Sequence, residues 1–408
     1  MASDRFSPPS GLLLLPPPPS TSFEQLRDAY GPSLSDVFSK ISRMLNGSND
    51  IAVLDIALSI PGLLSPSYQP RAKVFKRLQS FLASIYSLIG IVSTEQRIEL
   101  DFPGGVDARV VFIDFDPVHP ALVVPENRQV SLYGPILDLQ TLATSERSWD
   151  CVFYLDNKTG QSLAAAFSSL YSQTRDFTAG IMHPISGVSD WESSEPLLIN
   201  EDELPSNTHF SVIVGGTFDH FHIGHKLLLT ATALALEPTW SIDTGNERLL
   251  SVGVTGDELL VNKKYAEFLE SWEERYQNTA SFLAAILEFC PPEKTAPRIQ
   301  RVSQPGPNGK YALVKLRPNL TLKIVQISDP FGPTITEENI SALIVSQETR
   351  AGGAAVNDER AKKGWKSLDI FEVDVLHLGE LPTADSDSFA SKISSTDIRR
   401  RQMDQSTR

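Results

Sequence analysis

The stretch FSVIVGGTFDHFHIGHKLLLTATALAL, Phe210 to Leu236, constrains the fold more than any other part of this 408-residue chain. An uncharged apolar run ends at two glycines, crosses a short polar turn and resumes with apolar residues at helical spacing. That order describes a buried strand delivering its carboxyl end to the start of a helix. The pattern then repeats. RLLSVGVTG, LTLKIVQI, SALIVS and LDIFEVDVL have strand character; SWEERYQNTASFLAAILEF, GGAAVNDERAKK and STDIRRRQ have helical character, the first with Ser271 and Glu274 at capping-box spacing. Alternation of this kind predicts an α/β fold with a doubly wound parallel sheet over residues 209–408, its ligands lying at the carboxyl ends of the strands. Between Pro291 and Thr321, PGPNGK supplies turn chemistry for a hairpin insertion.

The length asks for a second domain. FEQLRDAY and SLSDVFSKISRML read as helical, VLDIALSI as a strand, RAKVFKRLQSFLASIYSLI as a long amphipathic helix, RVVFIDFD and WDCVFYLD as buried strands, and QSLAAAFSSLYSQ as a helix behind the turn residues DNKTG. These predict a separate N-terminal α/β domain over 21–175, with no readable strand order or role. Residues 1–20, rich in Pro and Ser, read as a disordered tail, and 176–208 as a linker. A net charge of −14 argues against bulk attraction to nucleic acid or to an anionic membrane. The leucines of GLLLL are too few for a secretory core, and no run reaches the ~18 apolar residues of a membrane span. Cys151 and Cys290 read as core thiols in a reducing compartment, so the cytoplasm is the expected location.

Three readings compete for the turn. A zinc site would need more ligands than His220, His222 and His225, and His119, His183, His209 and His377 form no second ligand motif. A merely buried turn would leave its imidazoles satisfied by carbonyls. A phosphate-gripping turn accounts for more of the residues. Gly215 and Gly216 let the backbone approach a ligand closely, and Thr217 offers a hydroxyl and an N–H. His222-Ile223-Gly224-His225 opens the helix, whose free N–H groups favour an anion, and Gly224 leaves room for a flat base. Two imidazoles there could stabilise charge developing on phosphate.

GGTFDHFHIGH resembles the signature of the nucleotidyltransferase superfamily, which includes cytidylyltransferases and adenylyltransferases. With VGVTGDELLVNKKYAEFLESWEER, DPFGP, LIVSQETRAGGAAVNDER and ISSTDIR in that order, residues 209–403 are similar to phosphopantetheine adenylyltransferases of the eukaryotic and archaeal type. The first half more weakly resembles the N-terminal extension of fungal members. The resemblance implies a Rossmann-like nucleotidyltransferase domain that transfers AMP from ATP to 4′-phosphopantetheine, giving dephospho-coenzyme A and pyrophosphate. It implies that Thr217 binds the acceptor phosphate, that His225 and His222 contact ATP phosphates, and that Lys263, with Lys264 as fallback, neutralises phosphate. Arg275 matches a recurrent family arginine. Gly352, Gly353, Asn357 and Arg360 follow the strand SALIVS towards ATP, and so does Arg350, although some relatives carry their arginine where Ala351 stands here. Ser394, Ser395, Thr396 and Arg399 would form a second phosphate grip. Mg²⁺ would come with ATP, bridging its oxygens with few protein ligands. His220 is read as structural, and Asp219 as fixing the turn.

No G-x-x-x-x-G-K-[ST] occurs, so no kinase activity is expected on this chain. Association with other enzymes of coenzyme A synthesis is left open. The enzymatic rival is a cytidylyltransferase acting on another phosphorylated acceptor; the rival from another class is a non-catalytic nucleotide- or coenzyme A-binding regulator.

Overall fold

The computed structural model describes residues 7–120, 133–174, 181–186, 189–191, 196–198, 207–238, 245–289, 298–317, 319–376 and 394–406. Its N-terminal half comprises β1 (Ser10–Leu15), α1 (Phe23–Met44), β2 (Ala52–Ser59), α2 (Ala72–Glu95), β3 (Val106–Asp114), β4 (Ile136–Asp138), α3 (Leu139–Thr144), β5 (Cys151–Leu155), α4 (Lys158–Thr174) and β6 (Ile181–Ile185). The strands form one parallel sheet in the order β4-β3-β2-β1-β5-β6. This corrects the reading of residues 1–20 as a disordered tail. Leu12 to Leu15 are fully buried in β1, between β2 and β5, because a central parallel strand is covered on both faces and tolerates an unbroken apolar run. The linker assignment is corrected too, since Ile181–Ile185 forms the edge strand β6. Cys151 is a buried free thiol at the start of β5; Cys290 lies outside the described residues.

The second half follows the alternation in the sequence: β7 (Ser211–Gly216), α5 (Ile223–Ala235), β8 (Arg248–Thr255), α6 (Trp272–Leu287), β9 (Arg298–Ser303), β10 (Lys310–Arg317), β11 (Leu320–Ile327), β12 (Ala342–Ser346), α7 (Arg350–Lys362), β13 (Asp369–Val373) and α8 (Ser395–Ser406). The sheet order is β13-β12-β7-β8-β11-β10-β9. The first five strands are parallel; β9 and β10 extend the sheet as the expected antiparallel hairpin. The order reverses about β7, so a crevice opens beside its carboxyl end, where GGTFDHFH begins. The capping box at Ser271 and Glu274 is formed and starts α6.

The halves share one apolar core running from Leu12 to Val373. At its centre α2 packs against α5, and every residue from Phe81 to Thr94 is buried. The helix is therefore not amphipathic over that stretch: it has partners on all sides, including α1, β3 and β13.

Candidate active site

The turn from Thr217 to Phe221 is wound tightly enough to hold two non-glycine residues at positive φ, Phe218 at 54° and His220 at 45°. Such residues persist only where surroundings overdetermine them. Asp219, with no exposed surface, is the organiser. Its Oδ1 accepts from the N–H of Glu270 at 2.9 Å, its Oδ2 pairs with Arg399, and its carbonyl accepts from Ser395 Oγ at 2.6 Å. His220 builds the opposite wall. Its N–H donates to Glu270 Oε2 at 2.7 Å, and its Nε2 donates to the carbonyl of Phe268 at 2.7 Å.

Beyond the turn, His222 caps α5: its Nδ1 accepts from the N–H of Gly224 at 3.1 Å. An accepting Nδ1 puts the proton of the neutral ring on Nε2, which faces Ser395 Oγ at 3.4 Å. His225, one turn on, stacks on His222 with centroids 3.8 Å apart and planes 22° apart. Phe218 and Phe221 flank His225 at 5.3 and 5.7 Å, and its buried Nδ1 has no protein partner. Burial lowers the pKa of both rings. In His222 the neighbouring His225, His220 and Lys226 add to the effect; His225 is taken down to about 3 by burial and then by His220. Both are neutral at pH 7. The arrangement is a pair of uncharged N–H donors at a helix N-terminus, which suits phosphate oxygens.

A second set of contacts ties the chain's last helix to this turn. Ser394 Oγ accepts from the N–H of Asp397 at 3.3 Å as the N-cap of α8. The guanidinium of Arg399 donates to Asp219, to the carbonyl of Lys264 at 3.0 Å and to Thr396 Oγ1 at 3.2 Å. So α8 is pinned with Ser395 over His222.

Beside the turn lies a mostly apolar cavity of about 240 Å³ at the carboxyl ends of β7, β8, β11 and β12, with Gly215, Gly253, Phe331, Gly332, Val345 and Gly353 in its wall. Asp329 Oδ1 accepts from the N–H groups of Phe331 and Gly332, both at 2.8 Å, and folds DPFGP into one wall. Gly332 sits at φ +55°, a conformation that glycine adopts without strain.

Residues 213–401 match the sequence model of the cytidylyltransferase-like family. The second half of the chain carries a cytidylyltransferase-like domain. Residues 1–189 match a separate domain family of unknown function, DUF8446. Among individual proteins, the chain is 34% identical over 253 residues to an uncharacterized protein of Schizosaccharomyces pombe, covering 62% of this chain and 65% of that one. It is 32% identical over 205 residues to a phosphopantetheine adenylyltransferase of Saccharomyces cerevisiae, covering 50% and 52%. A phosphopantetheine adenylyltransferase of Thermococcus kodakarensis is 29% identical over 171 residues, 41% of this chain and 78% of the relative. The chain thus spans between half and two thirds of the length of the first two.

Within the cytidylyltransferase-like domain, Thr217, His222, Gly224, His225, Ser394, Ser395 and Thr396 converge on the turn, and Gly215 and Gly353 line the adjoining cavity, with Gly216 at the end of β7. The side chains of four expected ligands are engaged by the protein itself. Arg275 is fully buried and donates to the carbonyls of Glu270 (3.0 Å), Thr217 and Thr255 (both 2.8 Å) and to Asp257 at 2.5 Å. Arg360 is buried among the carbonyls of Thr334, Glu337, Glu338, Ile340 and Lys366. Asn357 bonds both backbone groups of Leu368. Arg399 is the tether described above. Lys263 and Lys264 are exposed, and Arg350, also exposed, pairs with Glu372. Glu270, the carboxylate opposite the turn, was not singled out by the sequence; nothing in its local spacing marks it.

Among the described residues no group of three or more His, Cys, Asp and Glu could hold a metal, and no helix is long and apolar enough to cross a membrane.

Proposed function

We propose that this protein is a phosphopantetheine adenylyltransferase, transferring AMP from ATP to 4′-phosphopantetheine in the cytoplasm, with residues 209–408 as the catalytic domain. The observation that carries the reading is the stacked, neutral His222–His225 pair at the N-terminus of α5, under Ser395 and beside a cavity at the strand ends. The yeast and archaeal relatives named for that activity support the choice of substrates.

In the proposed reaction a phosphate oxygen of the acceptor attacks the α-phosphorus of ATP. A new P–O bond forms, the bond from the α-phosphorus to the bridging oxygen breaks, and pyrophosphate leaves with that electron pair. An ionised phosphate nucleophile needs little base, so position and charge stabilisation carry the rate. Thr217 orients the acceptor phosphate. His225, with His222, donates to the α-phosphate oxygens as charge builds, and Ser395 and Thr396 hold the outgoing phosphates. Lys263 and Lys264 are exposed cations available to those phosphates, whereas Arg350 is paired with Glu372. The cavity walled by Phe331 and Gly353 accommodates parts of the substrates beyond the reacting phosphates. Mg²⁺ entering with ATP would neutralise phosphate charge; the carboxylates of the turn, Asp219 and Glu270, are taken up by Arg399 and by backbone N–H groups.

The family description keeps a cytidylyltransferase in view as the second reading. Pyrophosphate release by the full chain, with ATP or CTP against a panel of phosphorylated acceptors, separates them. Turnover of ATP with 4′-phosphopantetheine is expected. Turnover of CTP with phosphocholine and none with that pair would sink the proposal, and nucleotide binding without any turnover would leave a regulator.

A further inference from the structure

Lys226 follows His225 directly and is only 1% exposed. Its ammonium carries three protons and meets three acceptors, all from the N-terminal domain: Asp101 Oδ1 at 2.5 Å, Asp107 Oδ1 at 2.5 Å and the carbonyl of Ala108 at 3.0 Å. Its backbone N–H donates to the carbonyl of His222 at 3.1 Å, the first hydrogen bond of α5. The side chain anchored in one domain therefore belongs to the turn of helix that carries both imidazoles of the other. Burial lowers the pKa of Lys226, but the two carboxylates outweigh it and leave it raised, so the ammonium stays charged. These groups line a cavity of about 380 Å³ between the domains, whose other wall includes His220 and Glu270 of the catalytic turn.

We propose that Asp101 and Asp107 are positioning residues for His222 and His225, acting through Lys226, and that the N-terminal domain is in this way part of the catalytic unit. The proposal deepens the adenylyltransferase reading and rests on it. A helix start held only by its own N-cap can rotate or fray, and small displacements of donors aimed at a transition state cost rate without weakening ground-state binding. Asp101 is the cleaner of the two to perturb. It sits at φ 62°, which asparagine tolerates, and its Oδ2 has no partner, whereas Asp107 also holds Arg109.

The test uses the full chain. Asp101→Asn is expected to lower kcat about tenfold while both KM values stay within about twofold. Lys226→Met should lower kcat at least as far, and the double variant should be no slower than Lys226→Met alone, because Asp101 acts through the lysine. An Asp101→Asn kcat within about twofold of wild type, a loss no greater than the loss of folded protein, or additive single effects would overturn the proposal. If the wild-type chain turns over no substrate, the activity reading fails by itself. The imidazole NMR signals of His222 and His225 then decide: they should shift in Asp101→Asn, and unchanged signals would refute the clamp.

Discussion

Replacing Arg399 by methionine tests the pinning of α8 and separates stability from turnover. Arg399 and Asp219 have side chains 3% and 0% exposed, so the substitution strands a carboxylate whose Oδ2 loses its cation, leaving the 2.9 Å bond from the N–H of Glu270 to Oδ1. Breaking a buried pair from one side costs about 3–5 kcal/mol. Arg399→Lys keeps the charge beside Asp219 but cannot also reach the carbonyl of Lys264 and Thr396 Oγ1, so it should be destabilising yet cost less than Arg399→Met, by about the 1–3 kcal/mol of leaving a buried carboxylate without its partner. Asp219→Asn with Arg399→Met removes the stranded charge and should recover most of the stability. Turnover should stay low, because nothing then holds α8 with Ser395 over His222. Urea unfolding gives the stabilities; since a two-domain chain can unfold in steps, amide exchange in residues 395–406 reports the helix itself. A loss below about 1 kcal/mol for Arg399→Met, or equal losses for Met and Lys, would refute the reasoning.

His225→Ala should lower kcat about 10²–10³-fold in the pyrophosphate assay with circular dichroism unchanged, the size expected for removing one oriented donor; near wild-type turnover would remove it from catalysis. Acid should destabilise the fold through the histidines. Their folded pKa values lie below the ordinary 6.5, so their contribution is complete above that pH and is lost as pH falls below it, for His225 towards about 3, with a slope of at most about 1.4 kcal/mol per pH unit for each ring. Urea midpoints of wild type and His225→Asn between pH 7 and 4.5 isolate one ring from Asp101, which burial raises to about 6 and which acts in the opposite sense; parallel curves would contradict a neutral buried His225. Arg350→Ala removes a guanidinium 64% exposed and already paired with Glu372. Its KM for ATP should change by less than about twofold, and a tenfold rise would make it a phosphate ligand.

The second domain was readable because its signals are local: a strand ending in glycines, a capped helix, a hairpin turn. The first was readable only in part. GLLLL is too short to announce a strand, and four prolines follow it. What makes it central is pairing of Ser10 with Val53 and Gly11 with Cys151, which no window of sequence contains. IMHPI carries Pro184, a residue that argues against a strand yet is tolerated at an edge such as β6. Lys226 carries a local signal: HKLLL puts a charge inside an apolar helix start, and such a charge needs a partner. Its partners lie more than a hundred positions earlier.

The arginines show why letters in a motif do not fix roles. A guanidinium offers five N–H groups in a planar fork, which fits phosphate and equally fits the unpaired carbonyls where strands end and loops turn. Arg275, Arg360 and Arg399 take the second use, locking the loop of Thr217, the segment before β12 and the closing helix. In the proposed reaction, positive charge for the triphosphate would then come from groups not already saturated. Lys263 and Lys264 are exposed on the loop whose Lys264 carbonyl Arg399 holds. The buried arginine therefore ties the loop of the exposed lysines to α8, and an Arg399 variant should disturb that loop.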